Sequence, residues 1–420
     1  MSLLRTAQWP KKRLRFLTSR ARSSEEGDLL SGSSEVLFLP MEAIGEQGQL
    51  DLSRTRPIED VRTGYSMFFE GDVVIAKITP CFENGKGALI RGVPNGIGFG
   101  TTELYVLTPG PDLDGRFLYY VTVDPRFRRL GEAWMTGAAG QQRVPENFVR
   151  DYVVPVPPLP QQRAIADYLD RETARIDALI AVKMRLLELL AEKRRALITR
   201  AVTRGLDPNV PLRDSGIPWL GKIPAHWETE RARWLFRERD ERSDTGEEEL
   251  LTVSHITGVT PRSEKDVHMF EAETKEGYKI CLKGDLVINT LWAWMGAMGV
   301  APLSGIVSPA YNVYEPLGRL EPNFVDALVR LPVFAQEVTR FSKGVWSSRL
   351  RLYPEAFFDV WLPVPPLDEQ RAIVERVISE AAKIDAVTSA AERTIALLKE
   401  RREALIAAAV TGQIDVEGTA

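Results

Sequence analysis

The sequence predicts a duplicated mixed α/β (α+β) protein: two domains, each followed by one long helix, with the two helices pairing as an antiparallel coiled coil. Three observations carry this. "VPVPPLPQQRAIADYL" at 154–169 returns as "LPVPPLDEQRAIVERV" at 362–377, 208 residues on. Each copy opens a stretch free of internal Gly and Pro and rich in Ala, Leu, Glu, Arg and Lys, the helix-favouring residues. The segments upstream of the two copies echo one another more faintly, as strand motifs in the same order.

Taken in order, "WPKKRLRFL" at 9–17 corresponds to "WETERARWLF" at 227–236. "FFEGDVVIAKI" at 68–78 corresponds to "CLKGDLVINTL" at 281–291, each a Gly-Asp turn leading into a β-branched run that reads as a strand. "GIGFGTTELYVL" at 96–107 stands opposite "GIVSPAYNVYEP" at 305–316. "RFLYYVT" at 116–122 and "NFVDALV" at 323–329 each precede a helix. Pro157-Pro158 and Pro365-Pro366 then hold the chain extended and forbid helix immediately upstream. Asp368 is expected to cap the second long helix, with Glu369 favouring its positive end. The "PPL" motif is therefore read as a hinge and cap, not as a chemical site.

Each long helix is expected to run for about 40 residues, on the order of 60 Å. Apolar positions recur at seven: Leu169, Ile176, Leu190 and Leu197 in the first, interrupted by Lys183, and Val377, Ile384, Ala391, Leu398 and Leu405 in the second. Leu179, Leu186 and Val387 supply the second row of a coiled-coil seam. One such helix alone would be too exposed. A globular domain between the two carries the chain back, so antiparallel pairing follows. The expected divisions are a first domain at 1–155, the first helix with its proline lead-in at 156–204, and a Pro- and Gly-dense connector at 205–228. A second domain at 229–363, the second helix at 364–412 and a tail at 413–420 complete the chain. Trp219 and Trp227 are expected to pin the connector to a domain surface.

Composition bounds function. A chain of 420 residues with 44% hydrophobic and 27% charged residues reads as a soluble protein of two to four domains. No apolar run reaches the length of a membrane helix, and the N-terminus lacks the pattern of a secretory signal. Cys81 and Cys281 have no metal-ligand spacing and read as buried small hydrophobes in a reducing compartment. A net charge of −4 argues mildly against nucleic acid, but phosphate binding depends on local positive surface rather than on a whole-chain sum.

Motifs for chemistry are missing. His226, His255 and His268 have no ligand spacing. There is no nucleophile elbow and no P-loop. "GIGFG" at 96–100 lacks the strand-then-helix context of a nucleotide loop and reads as a turn or tight backbone packing. The (Asp/Asn)-Pro-Pro-(Tyr/Phe) tetrapeptide of adenine methyltransferases is absent, since the Pro-Pro pairs here are flanked by Val and Leu. The chain reads as a binder, without catalytic, cofactor-binding or metal-ligating residues.

The duplicated "PxPPLxxQRxI" with its trailing helix, the "GIPWLGKIPAHW" lead into the second half and the terminal "ALIAAAVTGQIDV" resemble the specificity subunit of type I restriction-modification systems. That resemblance covers essentially the whole chain. It implies two target recognition domains joined by two helices in an antiparallel coiled coil, each domain reading one half of a bipartite, asymmetric double-stranded DNA site. It implies that the helices set the spacing and dock two modification (methyltransferase) subunits, with two restriction (nuclease-translocase) subunits completing the complex. S-adenosylmethionine is then expected in the partner modification subunit and no cofactor in this chain, in a prokaryotic cytoplasm without membrane attachment. The first helix departs from the family pattern, with "PQQR" where the second half has "DEQR". The alternatives are a specificity unit serving another nuclease arrangement, or a coiled-coil scaffold that binds protein and not DNA.

A DNA reader needs Arg, Lys, Gln and Asn on exposed loops beside aromatics. In the first domain the expected contacts are a basic patch of Arg126, Arg128 and Arg129, the trio Gln141, Gln142 and Arg143, and Lys77 and Lys86 around a Gly-rich turn. In the second they are Asn289, Trp292 and Trp294 after a strand, then Arg340, Lys343, Trp346, Ser347, Arg349 and Arg351.

Overall fold

The computed structural model describes residues 9–19, 35–138, 140–265, 274–344, 350–414 and 416. The chain divides into two units: Met1–Met184 with Glu392–Ala420, and Arg185–Ala391.

The first unit contains β1 (Lys11–Arg13), β2 (Thr18–Ser19), β3 (Glu35–Leu39), β4 (Thr55–Pro57), α1 (Ile58–Val61), β5 (Ser66–Phe69), β6 (Val73–Ala76), β7 (Gly87–Leu89), β8 (Ile97–Gly100), β9 (Leu104–Pro109), α2 (Gly115–Val123), α3 (Pro125–Ala133), α4 (Glu146–Asp151), β10 (Val153–Pro155) and the start of α5 (Leu159–Arg204). An antiparallel sheet ordered β2-β9-β6-β7 forms its middle layer. Every residue of β6, Val-Val-Ile-Ala, is buried. Alternation explains why: Val73 and Ile75 pack towards α2 with Phe117 and Val121, while Val74 and Ala76 pack towards Leu37, Leu39 and Phe68 of a second sheet, β4-β3-β8-β5. Gly98 and Gly100 of "GIGFG" belong to that second sheet, while Gly96 ends the 3-10 turn before it. A Cβ at Gly98 would lie 2.4 Å from the Phe68 ring, so the motif is tight backbone packing.

The second unit continues with β11 (Leu212–Asp214), β12 (Lys222–Pro224), β13 (Glu228–Arg231), β14 (Phe236–Arg239), β15 (Leu251–Ser254), β16 (Gly258–Pro261), β17 (Lys279–Cys281), β18 (Leu286–Asn289), β19 (Met298–Val300), β20 (Gly305–Val307), β21 (Tyr311–Pro316), α6 (Pro322–Val329), α7 (Pro332–Phe341), α8 (Pro354–Phe358), β22 (Trp361–Val364) and the start of α9 (Leu367–Val410). Its central sheet, β14-β21-β18-β19, repeats the first in order and direction. Leu286 and Ile288 face α6, and Val287 faces the other layer. The sequence-matched runs at 116–122 and 323–329 are themselves helices, α2 and α6, each followed by a second helix. The matched Gly-Asp turns are also alike: Asp72 accepts from Phe69 N at 2.8 Å, and Asp285 from Leu282 N at 2.8 Å. Gly71 and Gly284 sit at φ 90° and 96°, where a side chain is strained. In the connector, Trp219 meets Phe334 edge-on at 5.2 Å, while Trp227 lies in the core rather than on a surface.

The repeated glutamine of the "PPLxxQR" motif explains that motif. Gln162 is fully buried. Its amide donates to Asp112 O at 2.9 Å and Pro157 O at 2.8 Å, and its Oε1 accepts from Asp114 N at 2.8 Å. Gln370, equally buried, donates to Arg319 O at 3.0 Å and Pro365 O at 2.8 Å and accepts from Glu321 N at 2.7 Å. Asp114 and Glu321 are the N-caps of α2 and α6. One side chain thus fastens the root of a long helix to the first turn of a domain helix, once in each unit. The cap expected from Asp368 is a correction: Asp368 is exposed and, among the described residues, pairs only with Arg371 at 3.3 Å. Glu369 accepts from His226 Nε2 at 2.7 Å and Trp227 Nε1 at 3.0 Å, while Gln161 in its place in the first half leaves Oε1 without a hydrogen-bond partner among the described residues.

α5 and α9 are 46 and 44 residues long and pair antiparallel. In the first unit Asp177 meets Arg402 at 3.0 Å. In the second Arg194 meets Asp385 at 3.5 Å. These are the same ion pair with the roles of the helices exchanged. Leu169, Ile176 and Ile384 are buried, and Leu190, Leu197, Val377, Leu398 and Leu405 half-buried. The second seam row is corrected by one position, although Leu186, like Leu187, is half-buried. Leu179 is 52% exposed and Val387 is exposed too, whereas Ile180 is 6% exposed and the row runs through Thr173, Ile180, Leu187, Ala381, Thr388 and Ile395. Steps of three and four residues both stay on one helix face, so only the side on which the partner lies distinguishes them. No helix among the described residues is long and apolar enough to cross a membrane.

Candidate nucleic-acid interface

In each unit the middle strand of the central sheet runs out into a loop, and a later segment is stitched to that loop by backbone hydrogen bonds. In the first unit β6 ends at Ala76. Val144 N then bonds Lys77 O at 2.9 Å and Thr79 N bonds Gln142 O at 2.9 Å. Arg143 and Thr136 exchange bonds of 2.9 and 3.0 Å, closing the 136–143 loop over the 77–86 loop. Gly137 and Gly140, at φ 128° and 82°, make that closure possible. In the second unit β18 ends at Asn289. Leu352 N bonds Thr290 O at 3.2 Å, and Lys343 and Arg351 exchange two bonds of 2.9 Å. Arg143 and Arg351 therefore hold corresponding places on corresponding edges.

The side chains differ. On the first edge Arg143 holds Glu103 with two bonds, of 2.9 and 2.7 Å, which keeps the Glu103 carboxyl below its usual range and raises the guanidinium's. Lys77 Nζ lies 5.2 Å over the Tyr105 ring, and burial pushes the Tyr105 hydroxyl up to about 12. Lys86 donates to Met41 O at 2.9 Å. Gln141 is exposed and Gln142 half-buried. On the second edge Trp292 is exposed, Trp294 is half-buried and donates to Leu291 O at 3.1 Å, and Lys343 and Arg351 are exposed. Arg340 is exposed and bonds Glu337 at 3.0 Å. Trp346, Ser347 and Arg349 lie outside the described residues.

Three expected contacts are corrected. Arg126, Arg128 and Arg129 form no joint patch, because Arg128, two residues on from Arg126, falls on another side of the helix and turns into the core. Arg128 is buried: it donates to Phe82 O at 3.0 Å and Gly85 O at 3.3 Å, its guanidinium lies 4.8 Å over the Phe82 ring, and burial lowers it to about 10. It builds the 77–86 turn from within. Arg126 clasps Asp124 and donates to Ala407 O at 3.2 Å, tying α3 to α9. Of the three, Arg129 is exposed, with Nε on Pro125 O at 3.3 Å. Asn289 is also buried, its Oδ1 closing a turn on Leu291 N at 3.2 Å. Reading the sequence missed Glu103, the counter-charge of Arg143, and Trp134, 55% exposed just before the 136–143 loop. A tryptophan at a helix end followed by a glycine loop was a usable signal for the second; nothing local marked the first. Among the described residues, no group of three or more His, Cys, Asp or Glu could hold a metal.

Comparison with known proteins agrees with this duplicated architecture. No family model matches the chain. Over 153 residues it is 43% identical to the type I restriction enzyme EcoAI specificity subunit of Escherichia coli, covering 36% of this chain and 26% of that one. The EcoEI specificity subunit of Escherichia coli is 37% identical over 142 residues, 33% of this chain and 24% of the other. Over about a third of its length the chain is similar to type I restriction-enzyme specificity subunits. These two matches span about a quarter of each relative's length. A longer match links the chain to the putative type I restriction enzyme MjaX specificity subunit of Methanocaldococcus jannaschii, 21% identical over 78% of this chain and 76% of that one. Two solved structures share the fold. One is a chain from a type I R-M system studied for complex assembly and conformational transition, with TM-score 0.74 and 19% identity over 97% of this chain and 98% of that one. The other is the HsdS subunit from Thermoanaerobacter tengcongensis, with TM-score 0.56 and 18% identity over 97% of each.

Proposed function

We propose that the chain is the DNA-reading subunit of a type I restriction-modification assembly and is itself non-catalytic. Each unit reads one half of a bipartite, asymmetric duplex site through the edge where β6 or β18 ends. One observation carries this: the two edges have the same backbone construction and a matched arginine, Arg143 or Arg351, but otherwise different side chains, Lys77 and Gln141 on one and Trp292 and Lys343 on the other. A common frame with different donors is what reading two dissimilar sequences requires. On this reading two modification subunits supply S-adenosylmethionine and methylate the site, two restriction subunits complete the assembly, and the complex works in a prokaryotic cytoplasm.

The test is binding of the assembled methyltransferase to duplexes altered in one half-site at a time, at two salt concentrations. Arg143→Ala is expected to weaken discrimination at one half-site and Arg351→Ala at the other, each by about 1–3 kcal/mol where the guanidinium holds a guanine edge. A uniform loss for all sequences, with a flatter salt dependence, assigns the arginine to phosphate. Equal affinity of the wild-type complex for random and specific duplexes would remove the reading altogether.

A further inference from the structure

The domains diverge almost everywhere outside their strands, yet one exposed feature is kept in both. Arg13-Leu14-Arg15-Phe16-Leu17 and Arg231-Ala232-Arg233-Trp234-Leu235 are the same pattern, Arg-x-Arg-aromatic-Leu. Each forms a 3-10 turn, at Leu14–Phe16 and Ala232–Trp234. Leu14 N bonds Tyr152 O at 3.0 Å, and Ala232 N bonds Val360 O at 2.8 Å. Both arginines of each turn converge on one carboxylate. Arg13 reaches Asp151 at 3.4 Å and Arg15 pairs with it too; Arg231 reaches Asp359 at 3.3 Å and Arg233 pairs with it too. Between these ion pairs and the buried leucine, the aromatic residue points outward. Phe16 is 74% exposed and Trp234 64%. Val153 and Trp361, at matching positions of β10 and β22, are exposed beside them.

Folding does not need these rings outside, and an exposed aromatic held on a rigid turn is the anchor type that dominates protein interfaces. The patch lies at the end of the central sheet away from the reading edge. Thr18–Ser19 pairs with Pro109–Thr108, whereas Leu104, at the other end of β9, pairs with Ala76 where the reading loop departs. β14 and β21 repeat this, with Phe236 on Pro316 and Asn289 on Tyr311. Six strand residues separate the ends, on the order of 17 Å. Two guanidiniums against one carboxylate leave each ion-pair cluster positive, with Lys11 and Lys12 exposed beside the first, which suits an acidic rim.

We propose that Phe16 and Trp234 are paired anchors, each inserted into an apolar, acid-rimmed pocket on one of two copies of the modification subunit. The inference rests on the assembly proposed above and adds to it a contact surface on each domain. It is tested by titrating purified modification subunit into the full chain, with stoichiometry from native mass spectrometry and affinity from calorimetry. Wild type takes up two copies. Phe16→Ala or Trp234→Ala keeps one site and weakens the other ~30-fold or more, and the double variant weakens both. Phe16→Trp and Trp234→Phe retain binding, and circular dichroism spectra stay unchanged because neither ring is in a core. Two copies bound to the double variant with wild-type affinity overturn the inference while leaving the assembly intact. So does a variant that loses DNA binding but not partner binding, which makes the patch a nucleic-acid contact. Failure of the wild-type chain to bind the modification subunit at all instead refutes the assembly reading.

Discussion

Replacing Gln370 by Ala tests the account of the repeated motif most directly. The substitution removes three hydrogen bonds of 2.7–3.0 Å and leaves Glu321 N–H and the carbonyls of Arg319 and Pro365 without their partner. A neutral hydrogen bond contributes about 1 kcal/mol net, and each buried group left unsatisfied costs about 1–3 kcal/mol. Some of these groups regain water in the space left behind, so the expected loss is about 3 kcal/mol in the unit at 185–391. Gln370→Glu sharpens the test. Its carboxylate still accepts from Glu321 N–H but faces two carbonyls with no proton to offer them. Burial and those carbonyls raise the folded-state pKa of the introduced carboxyl above the ordinary value near ~4.3. Folding then favours the protonated form. The variant is closest to wild type below about pH 4 and loses stability as pH rises from there through the raised pKa. Urea unfolding followed by tryptophan fluorescence, at pH 4.5 and pH 7.5 and with wild type measured at each, reads both effects. A loss under about 0.5 kcal/mol for the Ala variant, or a Glu variant whose deficit does not shrink on acidification, refutes the reasoning.

Two further outcomes follow from burial. Ile180→Ala is expected to destabilise by about 2–4 kcal/mol and Leu179→Ala by less than about 0.5 kcal/mol, measured by urea unfolding; equal effects would return the seam to the row through Leu179. Burial pushes the Cys281 thiol up to about 12, with Asp285 adding to the shift, so iodoacetamide at pH 7.5 is expected to leave Cys281 unmodified in the folded chain and alkylate it in urea, as mass spectrometry would show.

Much of this protein was legible because its signals are local and occur twice. The long helices follow from composition and the absence of Gly and Pro, and the prolines before them block helix whatever the surroundings. The Gly-Asp turns and β-branched runs of β6 and β18 depend on residues within one turn of one another. What the sequence left open was every question about which side a residue faces. Gln162 and Gln370 look like surface residues beside an arginine, and only docking of α2 and α6 against the helix roots buries them. Arg128 looks like one of three basic residues for DNA, but the packing of α3 on the 77–86 turn drives it into the core, where two carbonyls and an aromatic ring replace water. Leu179 and Ile180 are equally good seam residues until a partner helix chooses a side. Helical and strand periods are written in the spacing of neighbours along the chain, whereas burial is set by contacts from residues far away in sequence, and those contacts exist only once the fold has formed.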